Sequence, residues 1–278
     1  MSNNPLIAAY KKPALYVGLP SGGKYYDPKP KLSADGELAV YPMTARDELI
    51  TKTPDALFNG EATVSLLHSC CPDIGNPEQT PVSDLMVLML AIRNASYGAD
   101  IDVDLQCPKC DFINNLTVSA ARLLGSIKPL DVDPVVTLPS EFQVEVKPFN
   151  LTDRTKLQLQ GVKQQRIVRD VQNTELSDEE RNKRFGQTFI ELAELTIMLI
   201  SNCIVSVQAP ESEEKITDTP LILEWLQSIS KKDYDQIRDR VEQMSEDGMN
   251  REFDATCQDC GNKWKTDVEL DVANFFVG

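Results

Sequence analysis

Two cysteine pairs carry the strongest chemical signal in the sequence. The first lies in Ile101-Asp-Val-Asp-Leu-Gln-Cys107-Pro-Lys-Cys110-Asp-Phe-Ile-Asn-Asn-Leu-Thr-Val118, the second in Arg251-Glu-Phe-Asp-Ala-Thr-Cys257-Gln-Asp-Cys260-Gly-Asn-Lys-Trp-Lys-Thr-Asp-Val268. In each, a strand-like segment enters a C-x-x-C turn and a second strand-like segment leaves it, which describes a β-hairpin with two thiols at its tip. One such knuckle offers two ligands, and a closed tetrahedral zinc site needs four. The spacing therefore predicts that the two hairpins meet and that Cys107, Cys110, Cys257 and Cys260 bind one structural zinc. A pair of knuckles that has lost its metal is one alternative, and a redox dithiol is another. The redox reading is the weakest, because a disulfide oxidoreductase places its dithiol at a helix N-terminus, where the dipole lowers the thiol pKa. Here alternating or β-branched residues follow both pairs. Gly261 suits the positive-φ position that closes a knuckle, and Asp111 tolerates it better than most residues.

The remaining reactive residues do not assemble into a catalytic set. The single histidine, His68, sits beside Ser69 and Cys70 on an expected helix. Adjacent helical positions point apart, so these residues form no Cys–His nucleophile pair; His68 is expected to be buried or half-buried. Cys70, Cys71 and Cys203 read as small buried apolar residues. Leu19-Pro-Ser-Gly-Gly23 lacks both the spacing of a phosphate-cradling loop and a strand before it. Glu179-Glu180 and Glu213-Glu214 read as solvated faces. The expectation is a protein that is not an enzyme.

Charge narrows the partners. With 43 acidic and 28 basic residues the chain carries −15 at neutral pH, so nucleic-acid backbones and anionic lipid surfaces are poor partners. That weighs against the alternative function, a zinc-ribbon adaptor contacting nucleic acid or transcription machinery. The apolar run Leu85 to Ile92 is far short of the ~18 residues of a membrane span, and residues 1–12 have no signal-peptide pattern. Seven cysteines, an odd number, exclude a complete disulfide framework and point to a reducing compartment.

The elements that position the thiols occur in two rounds. The fold class expected is α+β, two similar lobes of strand plus helices, each ending in a C-x-x-C zinc-knuckle hairpin. Residues 1–36 read as an extended, proline-punctuated arm, 37–125 as the first lobe, 126–140 as a linker and 141–278 as the second lobe. In the first lobe, Glu37 to Met43 alternates as a strand and Thr44 caps a short helix with Asp47 in its first turn. Gly60 to Cys70 follows as a helix with Val64, Leu67 and Cys71 on one stripe, and Ser83 caps the next. In the second, Glu141 to Lys147 alternates, a helix is capped near Thr152, Ser177-Asp-Glu-Glu180 opens a long helix to Ile200, and a helical pair runs from Pro220 to Met244. Leu66-Leu-His-Ser-Cys70 parallels Leu199-Ile-Ser-Asn-Cys203, and Tyr41-Pro-Met-Thr44 parallels Lys147-Pro-Phe-Asn-Leu-Thr152, which suggests an internal duplication. Aromatic residues give contact area at modest entropy cost, so Tyr10, Tyr16, Tyr25 and Tyr26 on the arm are the candidate partner-binding residues.

Leu19-Pro-Ser-Gly-Gly-Lys-Tyr-Tyr26, Val40-Tyr-Pro-Met-Thr-Ala-Arg-Asp-Glu-Leu49, Pro54-Asp-Ala-Leu-Phe-Asn-Gly-Glu-Ala62, Leu90-Ala-Ile-Arg-Asn-Ala-Ser-Tyr-Gly98 and Cys107-Pro-Lys-Cys110 together resemble the T-even-type myophage baseplate hub assembly chaperone family, over roughly residues 15–125. The resemblance implies a non-enzymatic phage protein that builds the hub of the tail baseplate. Its partners would be baseplate hub or spike proteins. Its place would be the host cytoplasm during assembly, with retention in the virion left open.

Overall fold

The structure is a computed structural model, and it describes residues 12–51, 60–173, 178–246 and 248–267. Helices and small antiparallel sheets share the chain, an α+β arrangement, in two compact units. Unit 1 comprises Met1–Leu130 together with Asp247–Gly278, and unit 2 comprises Asp131–Glu246. The second cysteine pair is thus grouped with the first 130 residues, not with the segment that precedes it.

In unit 1, β1 (Leu15–Gly18) pairs antiparallel with β2 (Glu37–Val40), Val17 facing Leu38 across the ladder. From Leu15 onward the segment expected to be an extended arm is instead part of the folded unit. Its alternation covers only four residues among prolines, which is too short to separate from loop by pattern alone. Beyond β1 the chain turns onto the first turn of α3 (Val82–Tyr97). There the Ser21 amide and hydroxyl and the Tyr26 hydroxyl all donate to the Asp84 carboxylate. Helix α3 is buried from Ser83 to Ile92, so it is the core of the unit. Its N-cap is Pro81, and the expected cap Ser83 lies inside the helix.

Helix α1 (Ala45–Thr51) begins at Thr44 with a reciprocal cap: the Asp47 amide donates to Thr44 Oγ1 at 3.3 Å and the Thr44 amide to Asp47 Oδ2 at 2.7 Å, satisfying two otherwise orphaned donors. Helix α2 (Glu61–Cys70) buries Ala62, Leu66, Leu67 and Cys70. Val64 is only half-buried and His68 is exposed, so the expectation of a buried or half-buried histidine fails. At 3.6 residues per turn, the stripe through Leu66 and Cys70 turns position 68 away from the core. Two hairpins complete the unit's strands among the described residues. They are β3 (Asp100–Gln106) with β4 (Ile113–Ser119), followed by α4 (Ala120–Gly125), and β9 (Glu252–Thr256) with β10 (Lys263–Asp267).

Unit 2 is built on a four-stranded antiparallel sheet in the order β5 (Val135–Thr137), β6 (Gln143–Val146), β7 (Ile204–Gln208) and β8 (Lys215–Ile216). β5 falls in the stretch expected to be a linker. Helices α5 (Leu151–Asn173) and α6 (Asp178–Cys203) run between β6 and β7, and α7 (Thr219–Ser228) and α8 (Lys231–Met244) follow β8. Ser177, the expected cap of α6, lies outside the described residues. Val144, Val146, Leu199, Ile200, Ile222, Ile237, Val241 and Met244 form the core.

Hydrogen bonds of one unit recur in the other at matching sequence positions. Tyr41 N–H donates to the Cys70 carbonyl at 2.8 Å, and Lys147 N–H to the Cys203 carbonyl at 2.8 Å. The Thr44–Asp47 cap is matched by Asn150 and Asp153. Met43 N–H donates to Ser96 Oγ and Phe149 N–H to Ser245 Oγ, and each serine hydroxyl donates back four residues to Ile92 or Val241. Leu19-Pro-Ser21 has its counterpart in Leu138-Pro-Ser140, the serine amide donating to Asp84 in one case and to Asp233 in the other.

Candidate metal centre

Each C-x-x-C turn is formed by the backbone before any side chain matters. In the β3–β4 hairpin the Asp111 amide donates to the Cys107 carbonyl and the Cys107 amide to the Phe112 carbonyl. In the β9–β10 hairpin the Gly261 amide donates to Cys257 and the Cys257 amide to Asn262. The residue that closes each turn has a positive φ, 58° at Asp111 and 67° at Gly261, where glycine is unstrained and aspartate is tolerated at a cost. The turns aim backbone N–H groups at sulfur: Lys109 N–H lies 3.4 Å from Cys107 Sγ and Cys260 N–H 3.5 Å from Cys257 Sγ.

The four sulfurs lie within 4.8 Å of one another, with Cys107 and Cys260 3.8 Å apart and Cys110 and Cys257 3.6 Å apart. These separations are far too long for a disulfide, whose sulfurs sit at about 2.05 Å. They match the edge of a tetrahedron with arms of ~2.3 Å, about 3.8 Å. Cys107 and Cys257 are buried, while Cys110 and Cys260 reach the surface. Sequence reasoning thus picked out the four residues that come together, and the donor set, four thiolates at tetrahedral spacing, fits zinc.

The local electrostatics favour thiolate on one cysteine of each pair. Burial raises the Cys257 thiol, but the amides of Cys260 and Asp259, with the neighbouring thiols, outweigh it and bring it down to about 6. At Cys107 burial likewise opposes ionisation, and the amides of Lys109 and Cys110 win. At Cys110 the Phe112 amide pulls down, but burial and hydrogen bonds with the three other thiols push it up to about 12. Four thiolates this close repel one another, and a divalent cation among them removes that repulsion.

One residue that holds the two hairpins in register was missed in the sequence. Asn114 is fully buried; its Nδ2 donates to the carbonyls of Leu105 and Phe112, and its Oδ1 accepts from the Gln258 amide of the other hairpin at 2.8 Å. The signal was present: Asn114, Leu116 and Val118 share one face of β4, and a polar residue at an apolar-face position asks for partners. Arg122 adds a second tie, donating to the Glu252 carbonyl and lying 5.9 Å from the Phe253 ring centroid. Asn262 Nδ2 approaches Cys107 Sγ at 3.9 Å.

The other candidates are dispersed. Cys70, Cys71 and Cys203 are not part of the cluster; each is buried, as expected of small apolar residues, and burial drives the Cys71 and Cys203 thiols far above their usual range. Of the arm tyrosines, Tyr10 lies outside the described residues, Tyr16 is 52 % exposed and Tyr25 is half-buried. Tyr26 is buried, with its hydroxyl committed to Asp84, which makes it a core residue of unit 1 and corrects its expected place on a partner surface.

The family described as T4 bacteriophage base plate protein matches residues 16–277. No curated protein and no solved structure matched the chain. No described helix is long and apolar enough to cross a membrane.

Proposed function

The chain belongs to the T4 bacteriophage base plate protein family, and from that premise we propose that it serves the central hub of the base plate as an assembly factor or component. It acts in this reading through protein–protein contacts with hub or spike proteins, without catalysis, in the host cytoplasm while the tail is built. The family match over nearly the whole chain carries the proposal. The net charge of −15 disfavours the alternative, an adaptor on nucleic acid or transcription machinery.

In this reading the four cysteines hold one structural zinc, whose binding energy becomes folding energy for unit 1. The recurring hydrogen bonds support a further reading, that the two units are diverged copies of one ancestral segment. Among the arm tyrosines Tyr16 is the candidate contact residue, because its ring is exposed on β1. Recovery of tail proteins from infected cells on the tagged chain tests the function. Hub or spike proteins recovered with wild type and reduced with Tyr16→Ala support it. Recovery of nucleic acid or polymerase subunits in their place would overturn it.

A further inference from the structure

Helix α6 packs one side against its unit through Thr188, Leu192, Leu195 and Leu199. Its opposite side is not polar, as a solvent-facing helix side should be. Gly186, Ile190, Ala193 and Ile197 follow one another at spacings of four, three and four residues. Phe189 flanks them. Ile190 is 60 % exposed and Phe189 57 % exposed. That spacing is the seam of a two-helix coiled coil, with glycine and alanine small enough to let a second backbone approach.

The charges beside the seam indicate what lies across it. Lys183 precedes it and Glu194 lies near its other end, both on the flank adjoining Ile190, and neither forms an ion pair with a described residue. A second copy of α6 laid parallel would bring Lys183 near Lys183 and Glu194 near Glu194. Laid antiparallel about a two-fold axis at Thr188–Phe189, it brings Lys183 of each copy opposite Glu194 of the other, because like flanks meet in an antiparallel pair. From the seam and this charge order we infer that the occupant is a second copy of this chain, docked antiparallel through α6 in an isologous dimer. This goes beyond the proposed function and does not depend on it. The contact from Lys183 to Ile197 is about 21 Å long at 1.5 Å per residue, an interface at the small end of specific contacts, so the dimer should dissociate on dilution.

Sedimentation velocity of the full chain over a wide concentration range tests the inference. Wild type should pass from monomer to dimer as concentration rises. Ile190→Glu should raise the dissociation constant by at least about tenfold, the loss of ~1.4 kcal/mol or more, without changing the melting temperature, since the side chain is exposed. Lys183→Glu should weaken the dimer by placing like charges opposite each other, and adding Glu194→Lys should restore it. A wild type that stays monomeric throughout would overturn the inference. So would a dimer indifferent to Ile190→Glu, or a double variant no better than Lys183→Glu alone.

Discussion

Asp84 shows how much one buried residue decides. Its carboxylate holds the Leu19-Pro-Ser21 turn to α3 through three donated hydrogen bonds, from the Ser21 amide, the Ser21 hydroxyl and the Tyr26 hydroxyl. Asp84→Ala leaves those donors buried without an acceptor, and denaturant melts should show a loss of about 3 kcal/mol. Burial raises the Asp84 carboxyl above its ordinary 3.8, against the lowering by hydrogen bonds from Ser21, Tyr26 and Ser83. The folded state therefore favours the protonated acid. That contribution is fully present below the ordinary value and is lost as pH rises through the raised one. Asp84→Asn removes the titration, so its stability should fall less than wild type's between pH 4 and pH 6; equal slopes would refute the assignment. None of this was legible from the residue alone. Asp84 reads as a first-turn acid on a helix, and only the turn 63 residues earlier in sequence explains its burial. Cys107, Cys110, Cys257 and Cys260 were legible, because two C-x-x-C turns flanked by strands carry their meaning locally.

The hairpins came through at the scale of elements for the same reason: their pairing partner is the adjacent segment, and the turn residues state the geometry in advance. Gly261 at φ 67° and Asp111 at φ 58° occupy equivalent corners. Gly261→Ala should cost about 1 kcal/mol for a Cβ in the left-handed region, and Asp111→Gly should not destabilise; thermal melts of the two variants decide it, and the reverse order would contradict the turn assignment. β1 and β5 were lost because each is three or four residues long, beside prolines, and pairs with a strand read correctly on its own. The correspondence between hydrogen bonds of the two units was half-visible. Tyr41-Pro parallels Lys147-Pro in the sequence itself, while Leu19-Pro-Ser21 and Leu138-Pro-Ser140 lie in proline-rich stretches that carry no pattern of their own. Their shared role as acceptor-seeking turns against Asp84 and Asp233 exists only in three dimensions.

For the molecule as a whole, order along the chain misleads about the last hairpin. It closes the second round of elements, yet it groups with unit 1, where its two cysteines lie beside those of the other hairpin. A zinc there would tie residues near the chain's end to its first half, so chelation should loosen unit 1 as a body and not one turn. A loss of several kcal/mol corresponds to a melting temperature lower by about 10 °C or more; an unchanged melt with chelator would mean that the thiols no longer bind metal. The most direct measurement is elemental analysis of the purified full chain. One zinc per chain is the result expected, lost alike on Cys107→Ser and on Cys257→Ser. Two zincs per chain, none, or a zinc that survives either substitution would contradict a single site shared by the two hairpins.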